Sequence, residues 1–525
     1  FAVGLESSMR KVMIRDFVFE GYCADRYALA LARNEHEALQ VVVIPFHAGV
    51  KNARVSVGAF QRTDGRPSAE PPRADVSLVG HVYTAENTPY AVTYRGWWPD
   101  PLLAFQKQCD VEVGEQVAFW VDVHTTAATG PGDYQASITV QADAYEPIVI
   151  RLEAHVWDIE LPECTHLRTA FTYDRPGVVK IYRDRWNAEL ERKYHDFVLE
   201  HRLNIDHLYR RDPPDIALLE HAATKCLNAF NIMFLGNGGP GRVTEALATL
   251  ETFMPAIRKS ELDTFAYIYG FDEVTQDTFP AIRETFDALH ARYPTLKTMT
   301  TAIDPSFGRA SGLREAVDIW VPLTSWYDRD EAEALRAEGK AMWWYVCITP
   351  PHPYANWFIE YPAIEARLLL GVMSYKYQTD GFLYYLITLW GKNREPIRSG
   401  PYTEWDPATF TNRRGETANG DGSLLCPGPD GPLSTIRFEN IRDGIEDYEY
   451  LYLLAEVAER VRAAQRTPQR KAFLDHAATL LAVPEAVVRT LVDYTRDPQS
   501  LYAFREAVAQ AILDGRRLCE DQNSP

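Results

Sequence analysis

The sequence predicts a multidomain protein of the β plus α/β class: an antiparallel β-sandwich, then a (β/α)8 (TIM) barrel, then a C-terminal helical extension. Strand patterns between turn clusters fill the N-terminal part, and strand and helix patterns alternate through the middle. Only helical patterns, divided by Pro484 and Pro498, follow Asn440. At 525 residues the chain is too long for one ordinary domain. We place the sandwich at 1–162, the barrel at 163–460 and the extension at 461–525.

The N-terminal part contains short runs in which apolar and polar side chains alternate, as in half-buried strands. Clusters rich in Gly and Pro at 63–67 and 129–133 separate these runs. Helical periodicity is nearly absent, and short strands between turns favour a β-sandwich. The clearest strands are predicted at 38–45, 53–60, 116–123 and 134–140, and a last one at 156–162 leads into the next domain.

The middle of the chain repeats a strand and then a helix. The helical periodicity is clear where Tyr182, Trp186, Leu190 and Tyr194 recur every four residues, which places an apolar stripe against a sheet. Eight such units are what a TIM barrel requires, and a doubly wound sheet is the alternative. The eight strands are predicted at 168–174, 204–208, 230–235, 264–271, 297–303, 317–323, 341–348 and 381–388.

The charge balance excludes two classes of partner. Lys and Arg number 54 against 73 Asp and Glu, a net charge of −19, which repels phosphate backbones and anionic lipid. We therefore expect no nucleic-acid binding, and no membrane insertion because no apolar run approaches the roughly 20 residues of a membrane helix. The chain begins at Phe1 without a visible leader. We expect a mature or trimmed chain, whose compartment (secreted, periplasmic or cytoplasmic) stays open.

Cysteine and histidine spacing predicts neither a disulfide framework nor a metal site. The seven cysteines are scattered without a CxxC pair, and the histidines occur without HxH or HExxH spacing. We expect no metal and no organic cofactor. The stretch 236–241 matches GxGxxG, but it follows the third predicted strand of the barrel, so a loop is preferred over a nucleotide site.

The most informative segment is the predicted strand that ends in the adjacent acids Asp272 and Glu273. Inside a strand, neighbouring side chains point to opposite faces. At the carboxyl end of a barrel strand the chain turns out of the sheet, so both carboxylates can address one pocket, at the mouth where barrel enzymes place catalytic groups. The alternative is that Asp272 caps the following helix and Glu273 is solvated.

Four stretches carry a family resemblance and together span nearly the whole chain. They are GWWPDPLL at 96–103, YGFDE at 269–273, the region from Trp343 to Trp390, and GDGSLLCPG at 420–428 followed by the charged segment 436–451. By these stretches the chain resembles glycoside hydrolase family 123, the β-N-acetylgalactosaminidases, and the wider group of sandwich-plus-barrel proteins. The last stretch identifies the fold more than the substrate.

The resemblance implies a retaining, substrate-assisted hydrolysis, in which the sugar's own 2-acetamido oxygen attacks the anomeric carbon and forms an oxazolinium ion. Asp272 would accept the acetamido N–H and stabilise the developing positive charge. Glu273 would protonate the leaving oxygen and then act as base on water. The resemblance thus predicts an exo-acting β-N-acetylgalactosaminidase whose partner is a glycan or glycoconjugate with terminal β-linked N-acetylgalactosamine.

The sequence leaves other functional hypotheses open. They are a β-hexosaminidase of different sugar preference, a conventional retaining glycosidase with a distant second carboxylate, and a barrel that binds glycans without cleaving them. Homo-oligomerisation also stays open. Val274, Tyr385, Thr388 and Cys426 depart from the family's usual pattern, which leaves the exact sugar open.

A carbohydrate pocket also needs aromatic side chains, because sugar rings present apolar C–H faces. Tyr345 is the first candidate, since its phenol would hold the acetamido oxygen for attack. Trp390 is the second, as the floor of the subsite for the cleaved sugar. The alternative for each aromatic residue is that it packs in the ordinary barrel core. The alternative for each polar residue is that it lies in a solvated loop. The remaining predicted substrate-binding residues are Tyr327, Trp344, Tyr385, Tyr173, Asn356 and Asp421.

Overall fold

The structure is a computed structural model that describes residues 1–85 and 87–520. The chain divides into two compact units. The first unit comprises Phe1–Glu163, Trp357–Lys376 and Trp390–Pro525, and the second comprises Cys164–Asn356 and Tyr377–Leu389. The fold is multidomain and mixed, with antiparallel sheets in one unit and parallel strands alternating with helices in the other, as predicted. The last five residues of the predicted helical extension lie outside the described residues.

Eleven strands build two sheets in the N-terminal part of the first unit. They are β1 (Ala2–Ser7), β2 (Arg26–Arg33), β3 (His36–Ile44), β4 (Val50–Val57), β5 (Gln61–Arg62), β6 (Arg73–Thr84), β7 (Gly96–Leu103), β8 (Cys109–Val111), β9 (Val117–His124), β10 (Gly132–Gln141) and β11 (Ile148–Glu160). The first sheet has the order β1-β3-β9-β6-β7 and is antiparallel throughout. The second has the order β2-β11-β10-β4-β8, with β5 beside β10 and one parallel pair, β2 with β11.

Alternation of side chains explains these strands. In β10, Tyr134, Ala136, Ile138 and Val140 are buried while most of the residues between them are exposed. One face of the strand therefore packs and the other meets solvent. The four clearest predicted strands coincide with β3, β4, β9 and β10.

Strands and helices alternate through the second unit. They are β12 (Arg168–Thr172), α1 (Arg175–Tyr182), α2 (Ala188–Glu200), β13 (Ile205–Asp206), α3 (Ile216–Ala223), β14 (Phe230–Phe234), α4 (Pro240–Lys259), β15 (Ala266–Tyr269), α5 (Phe279–Arg292), β16 (Lys297–Thr300), β17 (Ile319–Trp320), α6 (Arg329–Ala337), β18 (Ala341–Met342), β19 (Trp344–Tyr345) and β20 (Gly381–Tyr384). Each of the eight predicted strands contains an observed strand, and the seventh is interrupted at Trp343.

The strands of the second unit form two parallel sheets. One has the order β13-β12-β20-β19 and the other β14-β15-β16-β17-β18. Because only Trp343 separates β18 from β19, the two sheets share the seventh predicted strand. Where β13 and β14 come together, the Asp206 carboxylate accepts a hydrogen bond from the backbone N–H of Asn231 (2.9 Å).

Two apolar clusters lie on opposite faces of these strands. The inner cluster includes Tyr267, Tyr269, Met299, Trp343 and Tyr345. The outer cluster includes Ile268, Phe271, Phe286, Trp320 and Met342, and it joins the strands to the helices. Alternate residues of one strand therefore belong to different clusters, as the period of two requires.

The helical repeat predicted from Tyr182 to Tyr194 is broken in the structure. Helix α1 ends at Tyr182, Trp186 lies in the connection, and α2 begins after Asn187, whose side chain accepts a hydrogen bond from the backbone N–H of Leu190. This N-cap starts a new helix because it satisfies one of the free N–H groups of the first turn. A spacing of four residues could not show the break.

The remaining elements include three long helices at the C-terminus. They are α7 (Ala363–Leu368), a π-helical turn (Leu369–Met373), α8 (Ser374–Tyr377), β21 (Ala408–Thr411), β22 (Thr417–Asn419), β23 (Cys426–Pro427), β24 (Pro432–Leu433), α9 (Ile436–Ala463), α10 (Pro468–Leu481), β25 (Val488–Thr490), β26 (Asp493–Tyr494) and α11 (Pro498–Glu520). A Cβ at Gly371 would lie 2.5 Å from the Gly444 carbonyl oxygen, so glycine allows α9 to approach the π-helical turn. Among the described residues, no helix combines the length and the apolar composition needed to cross a membrane.

A buried ionic network stabilises the first unit. The fully buried Arg367 guanidinium donates to Asp447 (2.7 Å and 3.0 Å) and to both Glu37 oxygens (3.1 Å each). Arg505 of α11 donates to Glu35 (3.0 Å). The network joins β3, α7, α9 and α11, and it satisfies charges that would be costly to bury alone.

Cys164 and Cys226 form a disulfide in the second unit. This corrects the expectation that the scattered cysteines form no such bond. Cys164 precedes β12 and Cys226 follows α3, and the fold brings their Cα atoms to 4.9 Å although 62 positions separate them. Spacing along the chain carries no signal for a pair made by tertiary structure.

Candidate active site

Asp272 and Glu273 lie in a turn directly after β15. The residues Phe271 (φ 61°) and Glu273 (φ 50°) both have left-handed backbone conformations, which residues with side chains seldom adopt. Such conformations persist only where surrounding contacts hold them, and they cluster at functional sites. Asp272 is half-buried and Glu273 is exposed.

Two hydroxyl groups bind one oxygen of Asp272. The Tyr269 hydroxyl donates to Asp272 Oδ1 (2.6 Å), and the Thr301 hydroxyl donates to the same atom (3.0 Å). Tyr269 ends β15 and Thr301 directly follows β16, so two neighbouring strands position this carboxylate. Both bonds fix the orientation of Asp272 while its other oxygen takes no part in them.

Glu273 is held by partners at the ends of two strands, β16 and β19. Its backbone N–H donates to the Thr301 hydroxyl oxygen (3.0 Å), so this single hydroxyl connects the two acids. The buried Tyr345 of β19 donates its hydroxyl to Glu273 Oε1 (2.6 Å). Burial, and then the charge of Glu273, raise the pKa of Tyr345 above its usual range. The phenol therefore stays protonated and acts as a donor at neutral pH.

A third tyrosine faces the acids. Burial, and then the charges of Asp272 and Glu273, raise the pKa of Tyr209 above its usual range. Its ring packs edge-on against Phe234, with ring centroids 5.4 Å apart. Tyr209 comes just after the second predicted strand.

Sequence reasoning missed Tyr209, Tyr269 and Thr301 as site residues. All three lie at or shortly after the carboxyl end of an observed strand, β13, β15 or β16. A search of every strand end for hydroxyl groups, rather than for carboxylates and tryptophans, could have found them.

Asn356 lies in the loop after β19 and Tyr385 lies directly after β20, both in the same unit. Asn356 is buried, and its Nδ2 donates to the carbonyl oxygens of Cys347 and Pro350 (2.9 Å each). It thereby shapes the loop after β19, whose Cys347 interacts electrostatically with Tyr209 and Tyr345. Tyr385 is half-buried directly after β20.

The structure does not bring Trp344 and Tyr327 to the acids. Trp344 neighbours Tyr345 on β19 and so points to the opposite face. Its fully buried ring packs edge-on against Tyr327 (5.1 Å between centroids), whose hydroxyl donates to the Tyr377 carbonyl oxygen (3.0 Å). Both aromatic residues belong to the packing between strands and helices.

Tyr173 lines a different cavity, of about 440 Å³, together with His195, His207 and Arg210. Its ring is buried against Tyr194, with centroids 5.7 Å apart. Trp390 and Asp421 belong to the first unit. There the Trp390 indole N–H donates to the Leu425 carbonyl oxygen (2.7 Å), and Asp421 is buried in the turn after β22.

Two other carboxylates at strand ends are committed to the fold. Asp206 accepts hydrogen bonds from the Tyr267 hydroxyl (2.5 Å) and the Asn231 backbone. Asp304 accepts from the hydroxyl groups of Ser306 (2.7 Å) and Ser311 (2.5 Å). These hydrogen bonds hold each carboxylate in place within its own loop.

One of two comparisons with known structures supports the fold. A family 123 glycoside hydrolase from Clostridium perfringens, studied for glycolipid glycan hydrolysis, is similar over 99% of both chains, with a TM-score of 0.69 at 13% identity. A family 39 glycoside hydrolase from Bacteroides cellulosilyticus WH2 has a TM-score of 0.35 at 11% identity, over 74% of this chain and 80% of its own. No curated protein sequence matches the chain.

The family is identified by sequence. The description "Glycoside hydrolase 123, catalytic domain" matches residues 243–454, a range that includes both acids, Thr301 and Tyr345. The family expected from the sequence motifs is therefore confirmed. Residues 243–454 of the chain therefore form a catalytic domain of glycoside hydrolase family 123, the kind of domain that hydrolyses glycans.

Proposed function

We propose that the protein is an exo-acting, retaining β-N-acetylgalactosaminidase that releases terminal β-linked N-acetylgalactosamine by substrate assistance. The observation that carries this proposal is the Asp272–Glu273 turn, in which each of two adjacent carboxylates accepts a hydrogen bond from a tyrosine hydroxyl. In such a reaction the acetamido group of the sugar is the nucleophile. The protein has to orient that group and supply one acid.

Asp272 is suited to orienting the acetamido group. The hydroxyl groups of Tyr269 and Thr301 both donate to Oδ1, and Tyr209 is a third hydrogen-bond partner of this carboxylate. The acetamido N–H would bind at Oδ2. Charge-assisted hydrogen bonds of this kind are short and directional. The same negative charge stabilises the oxazolinium ion as it forms.

Glu273 is suited to proton transfer. It is the exposed member of the pair, so a glycosidic oxygen can approach it. It would protonate that oxygen as the bond breaks and then take a proton from the water that opens the oxazolinium ion. Tyr345, 2.6 Å from Glu273 Oε1, would donate to the acetamido oxygen when the sugar is bound.

Two of the other strand-end carboxylates are held in a way that supports the amide as nucleophile. A conventional retaining glycosidase places a second carboxyl group about 5–5.5 Å from the first, free to attack the sugar. Asp206 and Asp304 instead accept several hydrogen bonds each from their own surroundings. A carboxylate held in that way is a poor nucleophile.

We also propose that the parallel strands of the second unit form one closed (β/α)8 barrel and that the two large sheets of the first unit form a β-sandwich. The shared strand at Trp343, and the bond from Asn231 to Asp206 between β13 and β14, support closure. The inner cluster, with its alternating residues, supports a packed barrel interior. The division at 1–162, 163–460 and 461–525 stays a prediction.

Hydrolysis of matched nitrophenyl glycosides tests the function. We expect turnover of the β-N-acetylgalactosaminide, with kcat/KM at least about 10-fold above the β-N-acetylglucosaminide. We expect no turnover of the β-galactoside and β-glucoside, which lack the amide. A thiazoline analogue of the oxazolinium ion should inhibit. Comparable rates on the β-galactoside would contradict substrate assistance. Because the Clostridium perfringens protein acts on glycolipid glycans, a glycolipid oligosaccharide ending in this sugar completes the panel.

A further inference from the structure

Three side chains of metal-binding type lie together on the first sheet. His36 of β3 lies directly opposite His124 of β9, and Asp122 lies two residues before His124 on the same face. One ligand atom from each lies within 4.8 Å of the other two. His36 Nδ1 and Asp122 Oδ2 are 2.9 Å apart, and the imidazole rings stack with centroids 5.1 Å apart.

One ring nitrogen in this cluster is left without a partner. His124 Nδ1 is buried and makes no hydrogen bond to any group in the described part of the chain. The neighbouring Asp75 carboxylate, at 3.8 Å, is beyond hydrogen-bond distance. A buried polar atom in this position is destabilising unless something binds it.

The charge around the cluster is negative. Arg442 Nη2 donates to Asp122 Oδ1 (3.0 Å), which leaves Oδ2 toward the histidines. The Glu446 carboxylate accepts from the backbone N–H of His36 (3.2 Å). Arg442 thus serves several carboxylates, of which Asp443 is also paired with Arg367 (3.5 Å), and the remaining negative charge favours a cation. The carboxylates that interact with Arg442 are Asp122, Glu439, Asp443 and Glu446.

We propose that His36, His124 and Asp122 bind a divalent transition metal ion of the zinc type. Two imidazoles and one carboxylate suit Zn²⁺, with water in the fourth position, whereas Ca²⁺ and Mg²⁺ prefer oxygen ligands alone. Arg442 would hold Asp122 in place through its hydrogen bond to Oδ1. When the ion binds His36 Nδ1, the proton on that nitrogen is displaced and the neutral ring carries its proton on Nε2 instead.

The ion would join β3 to β9 and stabilise the first unit. The acid pair belongs to the second unit, so this site is independent of the proposed hydrolysis. The three side chains are partly exposed, at 31%, 16% and 22% for His36, Asp122 and His124, so an ion can enter from solvent.

Zinc titration of the full chain, stripped with EDTA and followed by calorimetry, tests the site. We expect one equivalent to bind with a Kd of about 10 µM or tighter, and zinc to raise Tm. In His124→Ala we expect this equivalent to weaken at least about 100-fold and the Tm gain to disappear. His36→Gln should behave in the same way and serves if His124→Ala does not fold.

His155→Ala is the matched control. His155 also pairs with an aspartate, Asp133 (2.6 Å), but on the second sheet. We expect this variant to keep the zinc equivalent and the Tm gain. Wild-type binding weaker than about 10 µM would overturn the proposal. So would retention of the equivalent in both His124→Ala and His36→Gln, or its loss in His155→Ala.

Discussion

Thr301 connects the two acids, and its replacement by valine tests whether that connection matters. The hydroxyl donates to Asp272 Oδ1 (3.0 Å) and accepts from the Glu273 backbone N–H (3.0 Å). Valine keeps the branched shape and removes both bonds. A hydrogen bond to a charged group contributes about 1.5–3 kcal/mol. A tenfold change in rate corresponds to about 1.36 kcal/mol. If the whole of this hydrogen bond stabilises the transition state, its loss should lower kcat/KM by about 10-fold to 150-fold.

The assay is kcat/KM on a nitrophenyl β-N-acetylgalactosaminide, with Thr301→Ser as the control. Serine keeps the hydroxyl, so this variant should stay within about 3-fold of wild type. Unfolding in urea shows whether each variant is folded under the assay conditions. A Thr301→Val enzyme within about 2-fold of wild type would refute the positioning role, and so would equal losses in the valine and serine variants.

Three further predictions concern the acid, the disulfide and a buried carboxyl group. Glu273→Gln should slow hydrolysis of an oligosaccharide with a poor leaving group by about 10²–10⁴-fold, and an aryl glycoside much less; near-wild-type rates on the oligosaccharide would remove Glu273 from the acid role. Cys226→Ser opens a loop of 62 positions and should lower the free energy of unfolding by about 4 kcal/mol; an unchanged urea midpoint would contradict this. Burial raises the pKa of Glu35 to about 7, so its contribution to stability is present below its ordinary pKa and is lost as the pH rises through about 7. As the pH rises from the ordinary pKa of a glutamate toward about 7, the free energy of unfolding should therefore fall more steeply in wild type than in Glu35→Gln. Equal slopes in the two proteins would contradict this prediction.

Much of the architecture could be predicted because it follows local periodicity. Alternation predicted β10, and each of the eight predicted strands of the second unit contains an observed one. The position of Asp272 and Glu273 just beyond β15 also followed, since a strand that ends in charged residues is visible in sequence.

The features that could not be predicted from the sequence depend on tertiary arrangement. Trp344 and Tyr345 are neighbours, and only the register of β19 decides which of them reaches Glu273. Thr301 acts on both acids because β16 lies beside β15, which no local pattern reports. The Cys164–Cys226 bond was missed for the same reason.

The measurement that tests the central claim most directly is hydrolysis of a series of β-N-acetylgalactosaminides whose acetyl group carries zero, one, two or three fluorine atoms. Fluorine withdraws electrons and weakens the acetamido oxygen as a nucleophile. If that oxygen attacks the anomeric carbon beside Asp272, kcat/KM should fall with each added fluorine. Rates that do not respond to fluorine, or a sugar found covalently bound to a carboxylate of the enzyme, would contradict the account.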